Sequence, residues 1–119
     1  MGEMSYRKLC KWVLKVSELS PGAWVTFGDV VKGKETIREI VTNAHEGGVN
    51  FFDNADVYVK VLAEEIMGEV LKEFRRHTLV LSTKAYWPMS EDHNDRGLSR
   101  KHLMEISTQS LKRQKTEQM

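Results

Sequence analysis

The spacing of apolar positions changes several times along the chain. From Lys34 to His45 the apolar residues Ile37, Ile40, Val41 and Ala44 recur at the interval of one helix face. Gly47-Gly48 ends that stretch, because glycine accepts the left-handed conformation past a helix end. Val49 to Phe52 is a compact apolar run, predicted as a buried strand, and a loop follows from Asp53 to Lys60. Ala63, Ile66, Met67, Val70, Leu71 and Phe74 form the clearest amphipathic stripe. Arg75, Arg76 and His77 close it, since cations suit the negative end of a helix. Thr78 to Thr83 is rich in β-formers and reads as a further strand. Upstream, Leu19 to Trp24 reads as a short strand interrupted by Pro21, and Gly28 to Gly33 as a loop. Downstream, Tyr86 to Gly97 is a polar loop, and Ser99 is the expected N-cap of a third helix. That helix shows Leu103, Ile106 and Leu111 on its apolar face, and from Gln114 onward the sequence is polar up to its final Met.

The order is therefore strand, helix, three times over. Such alternation predicts a parallel sheet with helices on its faces. Tyr6 to Val16 is too short for another unit and reads as a small hairpin, with Leu14 and Val16 alternating against Lys15. Three units leave two long sheet edges, whereas a closed (β/α)₈ barrel takes ~250 residues. The pattern fits either a small three-layer sandwich or the first part of something larger.

Composition narrows the function more than the fold. A chain of 119 residues makes one domain at most, and 18 basic against 17 acidic residues leave a net charge of +1. That balance gives no global case for nucleic acid or an anionic membrane. The lone Cys10 forms no internal disulfide, which favours a reducing compartment. No apolar run is long enough to span a bilayer, no signal-peptide core is seen, and Tyr6 spoils a myristoylation motif begun by Met1-Gly2; a cytoplasmic location is expected. His45, His77, His93 and His102 lack metal-ligand spacing, so no metal is expected. Neither a GxGxxG fingerprint nor a phosphate loop is present.

In parallel α/β folds the functional face lies at the C-terminal strand ends. Asp53, Tyr58 and Lys84 fall there: Asp53 and Lys84 directly follow two predicted strands, and Tyr58 lies in the loop after the first of these. Neighbouring strands run ~4.8 Å apart, so Asp53 and Lys84 can meet. A tyrosine ordinarily ionises near pH ~10, too high for an efficient proton donor, and an adjacent ammonium stabilises the phenolate. A carboxylate would hold that ammonium charged and oriented. Each residue also has a purely structural reading: a helix cap for the aspartate, packing for the tyrosine, a solvated strand end for the lysine.

Phe52-Asp53-Asn54-Ala55-Asp56-Val57-Tyr58 resembles the aldo-keto reductase motif that carries a catalytic Asp and Tyr. Ser82-Thr83-Lys84-Ala85-Tyr86-Trp87 resembles the segment carrying its Lys. Ala23-Trp24-Val25-Thr26-Phe27-Gly28 looks like the first barrel loop, and Arg96 to Leu103 resembles the start of the third helix. The likeness runs from about Tyr6 to Arg113 and is greatest to the voltage-gated potassium-channel β-subunit branch. It implies a (β/α)₈ TIM barrel closed at its bottom by an N-terminal hairpin, here a single truncated domain of hairpin plus about three βα units over residues 1–119. It also implies NADP(H) as cofactor and aldehydes or ketones as substrates. Tyr58 would be the general acid, tuned by Lys84 and Asp53. Ala23, Trp24, Asp53 and Lys84 would contact the cofactor.

The departures are specific. The family's fourth catalytic residue, a His or Asn, follows a fourth strand, so no position here matches it, and the loops for adenine and phosphates come later still. Relatives have a glycine-bearing hairpin where this chain reads Leu9-Cys10-Lys11-Trp12-Val13-Leu14, and β-branched Val13 suits a positive-φ turn poorly. Val61 stands where relatives have glycine, and Pro21 removes an amide from the first strand. The expectation is a truncated copy of the reductase, inactive by itself. The alternative is a non-catalytic binding module with a protein partner, or one that self-associates through exposed sheet edges.

Overall fold

Two three-residue strands, β3 (Phe51–Asp53) and β4 (Val80–Ser82), lie parallel and in register, Phe51 opposite Val80 and Asp53 opposite Ser82. The computed structural model describes residues 2–23, 33–58 and 61–119. On the other flank of β3, Gly22 makes a parallel bridge to Asp53, with the Ala23 amide donating to the Asp53 carbonyl and the Asp53 amide to that of Pro21. The strand expected over Leu19–Trp24 is thus a single bridge among the described residues, as Pro21 has no amide to extend the ladder. Trp24 itself lies outside the described residues.

The hairpin is present. β1 (Tyr6–Lys8) pairs antiparallel with β2 (Lys15–Ser17). Its tight loop places the positive φ at Cys10 (54°), rather than at Val13 as the motif comparison implied. Asn50, just before β3, fastens the hairpin: its side chain accepts from the Ser17 amide at 2.8 Å and donates to the Lys15 carbonyl at 3.1 Å. The Tyr6 hydroxyl donates to the Gly48 carbonyl at 2.6 Å. Gly48 has φ 96°, and a Cβ there would lie 2.7 Å from that of Met4, so this junction needs glycine twice over.

Helix α1 (Lys34–Glu46) buries Ile37 and Val41, as its spacing predicts. Helix α2 (Leu62–Leu71) buries Ala63, Met67, Val70 and Leu71. It stops earlier than the stripe to Phe74 implied. Glu73 and Phe74 donate three residues back, to Val70 and Leu71, which tightens the exit. Phe74 still reaches the core, its ring 4.7 Å from that of His45. Arg75 therefore does not close α2, nor do Arg76 and His77; the latter two belong to a separate 3₁₀ turn, Arg76–Thr78, that leads into β4. The core is one cluster around Phe52, Ile37, Val41, Met67, Val70 and Leu81.

Helix α3 (Arg100–Arg113) starts where predicted, with the Ser99 hydroxyl accepting from the His102 amide at 3.1 Å. Its inner face differs from the prediction. Ile106 is buried, but so are His102, Ser110 and, just beyond the helix, Gln114, whereas Leu103 and Leu111 are only partly covered. Ser110 and Gln114 of this polar row meet α2 at Glu64. The helices approach so closely at Gly68 that a Cβ there would lie 2.3 Å from the Arg113 carbonyl oxygen. The polar tail folds back: Arg76 donates to the Thr116 hydroxyl and to the Gln118 carbonyl.

Candidate active site

Backbone pairing continues past the strand ends. The Asn54 amide donates to the Ser82 carbonyl at 2.9 Å and the Asp56 amide to that of Lys84 at 3.1 Å. This zips the loop after β3 to the segment after β4 and brings Asp53 and Lys84 to the same end of the sheet. The Lys84 Nζ donates to both Asp53 oxygens at 2.8 Å each and to the Asn54 carbonyl at 2.7 Å. Ser82 Oγ donates to Asp53 Oδ1 at 2.6 Å. The same ammonium lies 5.0 Å from the centroid of the Tyr58 ring. Burial works to lower the Lys84 pKa, but the hydrogen bonds to Asp53 and its negative charge, with Tyr58 alongside, outweigh it, so the ammonium is held above its usual value.

Asp53, Tyr58 and Lys84, singled out from the sequence, are therefore together. Ala23 is fully buried, tied to Asp53 through the backbone alone. Beside Tyr58 opens a cleft of about 630 Å³ walled by Val57, Tyr58, Trp87 and Pro88. It combines an apolar lining with one hydroxyl and, next to it, one ammonium.

Sequence reasoning missed the support behind this end. Glu64, in the first turn of α2, is wholly buried. It accepts from Arg113 Nε at 2.6 Å, Ser110 Oγ at 3.1 Å and Gln114 Nε2 at 3.2 Å, and also from the hydroxyl of Thr83, the residue before Lys84. One carboxylate thus joins α2, α3 and the end of β4. Its signal in the sequence was faint: an acid on a helix otherwise reads as solvated. Asp56 is also buried, and neither of its oxygens has a hydrogen-bond partner. Burial raises its pKa, opposed by the Val57 amide and reinforced by the charge of Glu64. His102, 1% exposed, leaves its Nε2 without a partner. No cluster of metal-ligating side chains occurs among the described residues.

Residues 18–119 match the Aldo/keto reductase family. The chain is 51% identical over 112 residues to an Arabidopsis thaliana protein described as a "Probable voltage-gated potassium channel subunit beta", covering 92% of this chain and 34% of that one. A counterpart in Oryza sativa subsp. japonica is 47% identical over the same coverage. The holo form of an aldo-keto reductase from Bacillus halodurans superposes with a TM-score of 0.79 at 30% identity, over 96% of this chain and 37% of that one. The chain spans about a third of the length of the curated relatives it matches. Its fold is a partial set of the units that build their barrel.

Proposed function

The chain belongs to the aldo-keto reductase family, and on that premise we propose that it carries the proton-donating part of an NADP(H)-dependent carbonyl reductase. The observation that carries this reading is the Lys84 ammonium, clamped by Asp53 and set over the Tyr58 ring beside an open cleft. When bound, NADPH supplies a hydride to the carbonyl carbon. Tyr58 gives its hydroxyl proton to the carbonyl oxygen, and the phenolate left behind is stabilised by Lys84. Asp53 keeps Lys84 charged and pointed at Tyr58.

The residues present fit the nicotinamide end of the cofactor. The cleft is lined by the aromatic residues Tyr58 and Trp87, which would pack against a planar ring, and the neighbouring Asp53 and Lys84 would supply polar contacts. The loops that hold adenine and phosphates in the family pattern have no counterpart assigned in this chain. The 119 residues by themselves are therefore expected to bind NADPH weakly and to turn over no carbonyl.

A second reading rests on the relatives named as potassium channel β subunits: the chain is a binding module for a protein partner. One titration separates the two. NADPH fluorescence is followed against purified chain, with circular dichroism on the same sample, then repeated with Tyr58→Phe. Saturable quenching by a folded chain supports the reductase site. A folded chain without any cofactor response favours the binding module. Sustained NADPH-dependent reduction of an aromatic aldehyde, lost in Tyr58→Phe, would overturn the expected inactivity.

A further inference from the structure

The overall charge of +1 conceals a strong local imbalance. Between Glu3 and Glu18 the chain carries Arg7, Lys8, Lys11 and Lys15 and no acid. Arg7 pairs with Glu18, while Lys8, Lys11 and Lys15 meet no carboxylate among the described residues. The tip of the same hairpin shows apolar side chains to solvent, although Val16 at its base is buried. Leu9 and Leu14 are each 47% exposed, Trp12 64% and Val13 82%. These four apolar residues at the tip of a two-stranded ribbon are not part of the core cluster. The Lys11 ammonium lies 5.0 Å over the Trp12 ring, so the cation and the aromatic share one surface. Leu14 also lines a hollow with Arg75 and His77 from the turn before β4, and Arg75 likewise has no acidic partner among the described residues.

We propose that the hairpin tip is a membrane-surface anchor that inserts Leu9, Trp12, Val13 and Leu14 among the headgroups of an anionic bilayer. The argument is complementarity on two counts. An apolar tip of this kind gains by leaving water, and an indole ring settles at the level of the lipid headgroups. Lys8, Lys11 and Lys15 flank it along the chain and Arg75 shares a hollow with Leu14, and these are the charges that an anionic headgroup layer attracts. The hairpin is fastened at the start of β3 through Asn50, and Asp53 ends the same strand. Anchoring would therefore leave Lys84 and Tyr58 facing away from the lipid.

The test is co-sedimentation of the 119-residue chain with phosphatidylcholine vesicles, with and without phosphatidylserine, at low and high salt. The expected result is pelleting with anionic vesicles alone, weakened by salt. Val13→Asp, at the most exposed position, should weaken it ~tenfold or more, and Lys11→Gln about fivefold. Circular dichroism identifies any variant that has lost its fold, and the other variant then decides. Failure of the wild-type chain to pellet with anionic vesicles would overturn the proposal. So would equal pelleting with neutral vesicles, or unchanged binding by both variants. A lipid-free dimer dissolved by Val13→Asp would assign the tip to a second copy of the chain instead.

Discussion

The Lys84 ammonium sits equidistant from the two carboxylate oxygens of Asp53, 2.8 Å from each. Both side chains remain part-exposed, 50% and 37%. A pair so open to water adds little stability, at most about 1 kcal/mol. Asp53→Asn should therefore shift the urea midpoint only slightly, while abolishing any NADPH quenching that the wild-type chain displays. A loss of several kcal/mol, seen in denaturation followed by circular dichroism, would make the pair a structural strut rather than part of a site.

Glu64 behaves oppositely. It is fully buried against Arg113, itself 13% exposed. Replacing one partner strands the other, at a cost of about 3–5 kcal/mol. Glu64→Gln should lower stability by that order, and adding Arg113→Met should recover much of it, because no charge is then left unpaired. If Glu64→Gln stays within 1 kcal/mol of wild type, the contact does not fix α3.

Val61 holds φ 69° at the start of α2. For a β-branched residue that conformation is strained by roughly 1–2 kcal/mol. Val61→Gly should therefore raise the melting temperature, despite the entropy that glycine adds to the unfolded chain. A lower melting temperature would mean that contacts of the valine side chain outweigh its backbone strain.

Asp56 supplies a pH dependence. Its folded pKa lies above the ordinary 3.8, first because burial disfavours the charge. Glu64 adds repulsion, and the Val57 amide, Arg113 and His102 oppose the rise. The folded chain then holds this proton more tightly than the unfolded one. Stability from this group is fully present below 3.8 and is lost as pH climbs through the raised value. Asp56→Asn should be more stable than wild type at neutral pH and lose that advantage as pH falls toward 3.8. Melting curves of both chains across the acid range would check it; an advantage independent of pH would refute the buried-charge account.

Much of this architecture was legible because it follows local rules. The spacing of Ile37 and Val41 fixed α1, Ser99 fixed the start of α3, and the residues at two strand ends, Asp53 and Lys84, had to share one side of a parallel pair. What escaped depends on partners distant in sequence. Phe74 continues the apolar stripe of α2 yet reaches the core from a turn, packed on His45. Glu64 looks like a surface acid until Arg113, 49 residues away, meets it. Among the described residues the first strand is a single bridge at Gly22, because proline withholds an amide. The charge on the hairpin disappeared into a whole-chain sum.

The polar inner row of α3 has a consequence for how the helix finds its seat. Grease tolerates a slipped fit, but a carboxylate does not. Sliding α3 by a single turn would bring Ile106 to the station of Ser110 and leave Glu64 facing a hydrocarbon, while the close crossing at Gly68 would jam against a different carbonyl. Only one register satisfies both. Ile106 is the one apolar residue that the helix buries fully among those described, so its seat is set by polar contacts. α3 is thus a self-checking closure, seated in one way or not at all.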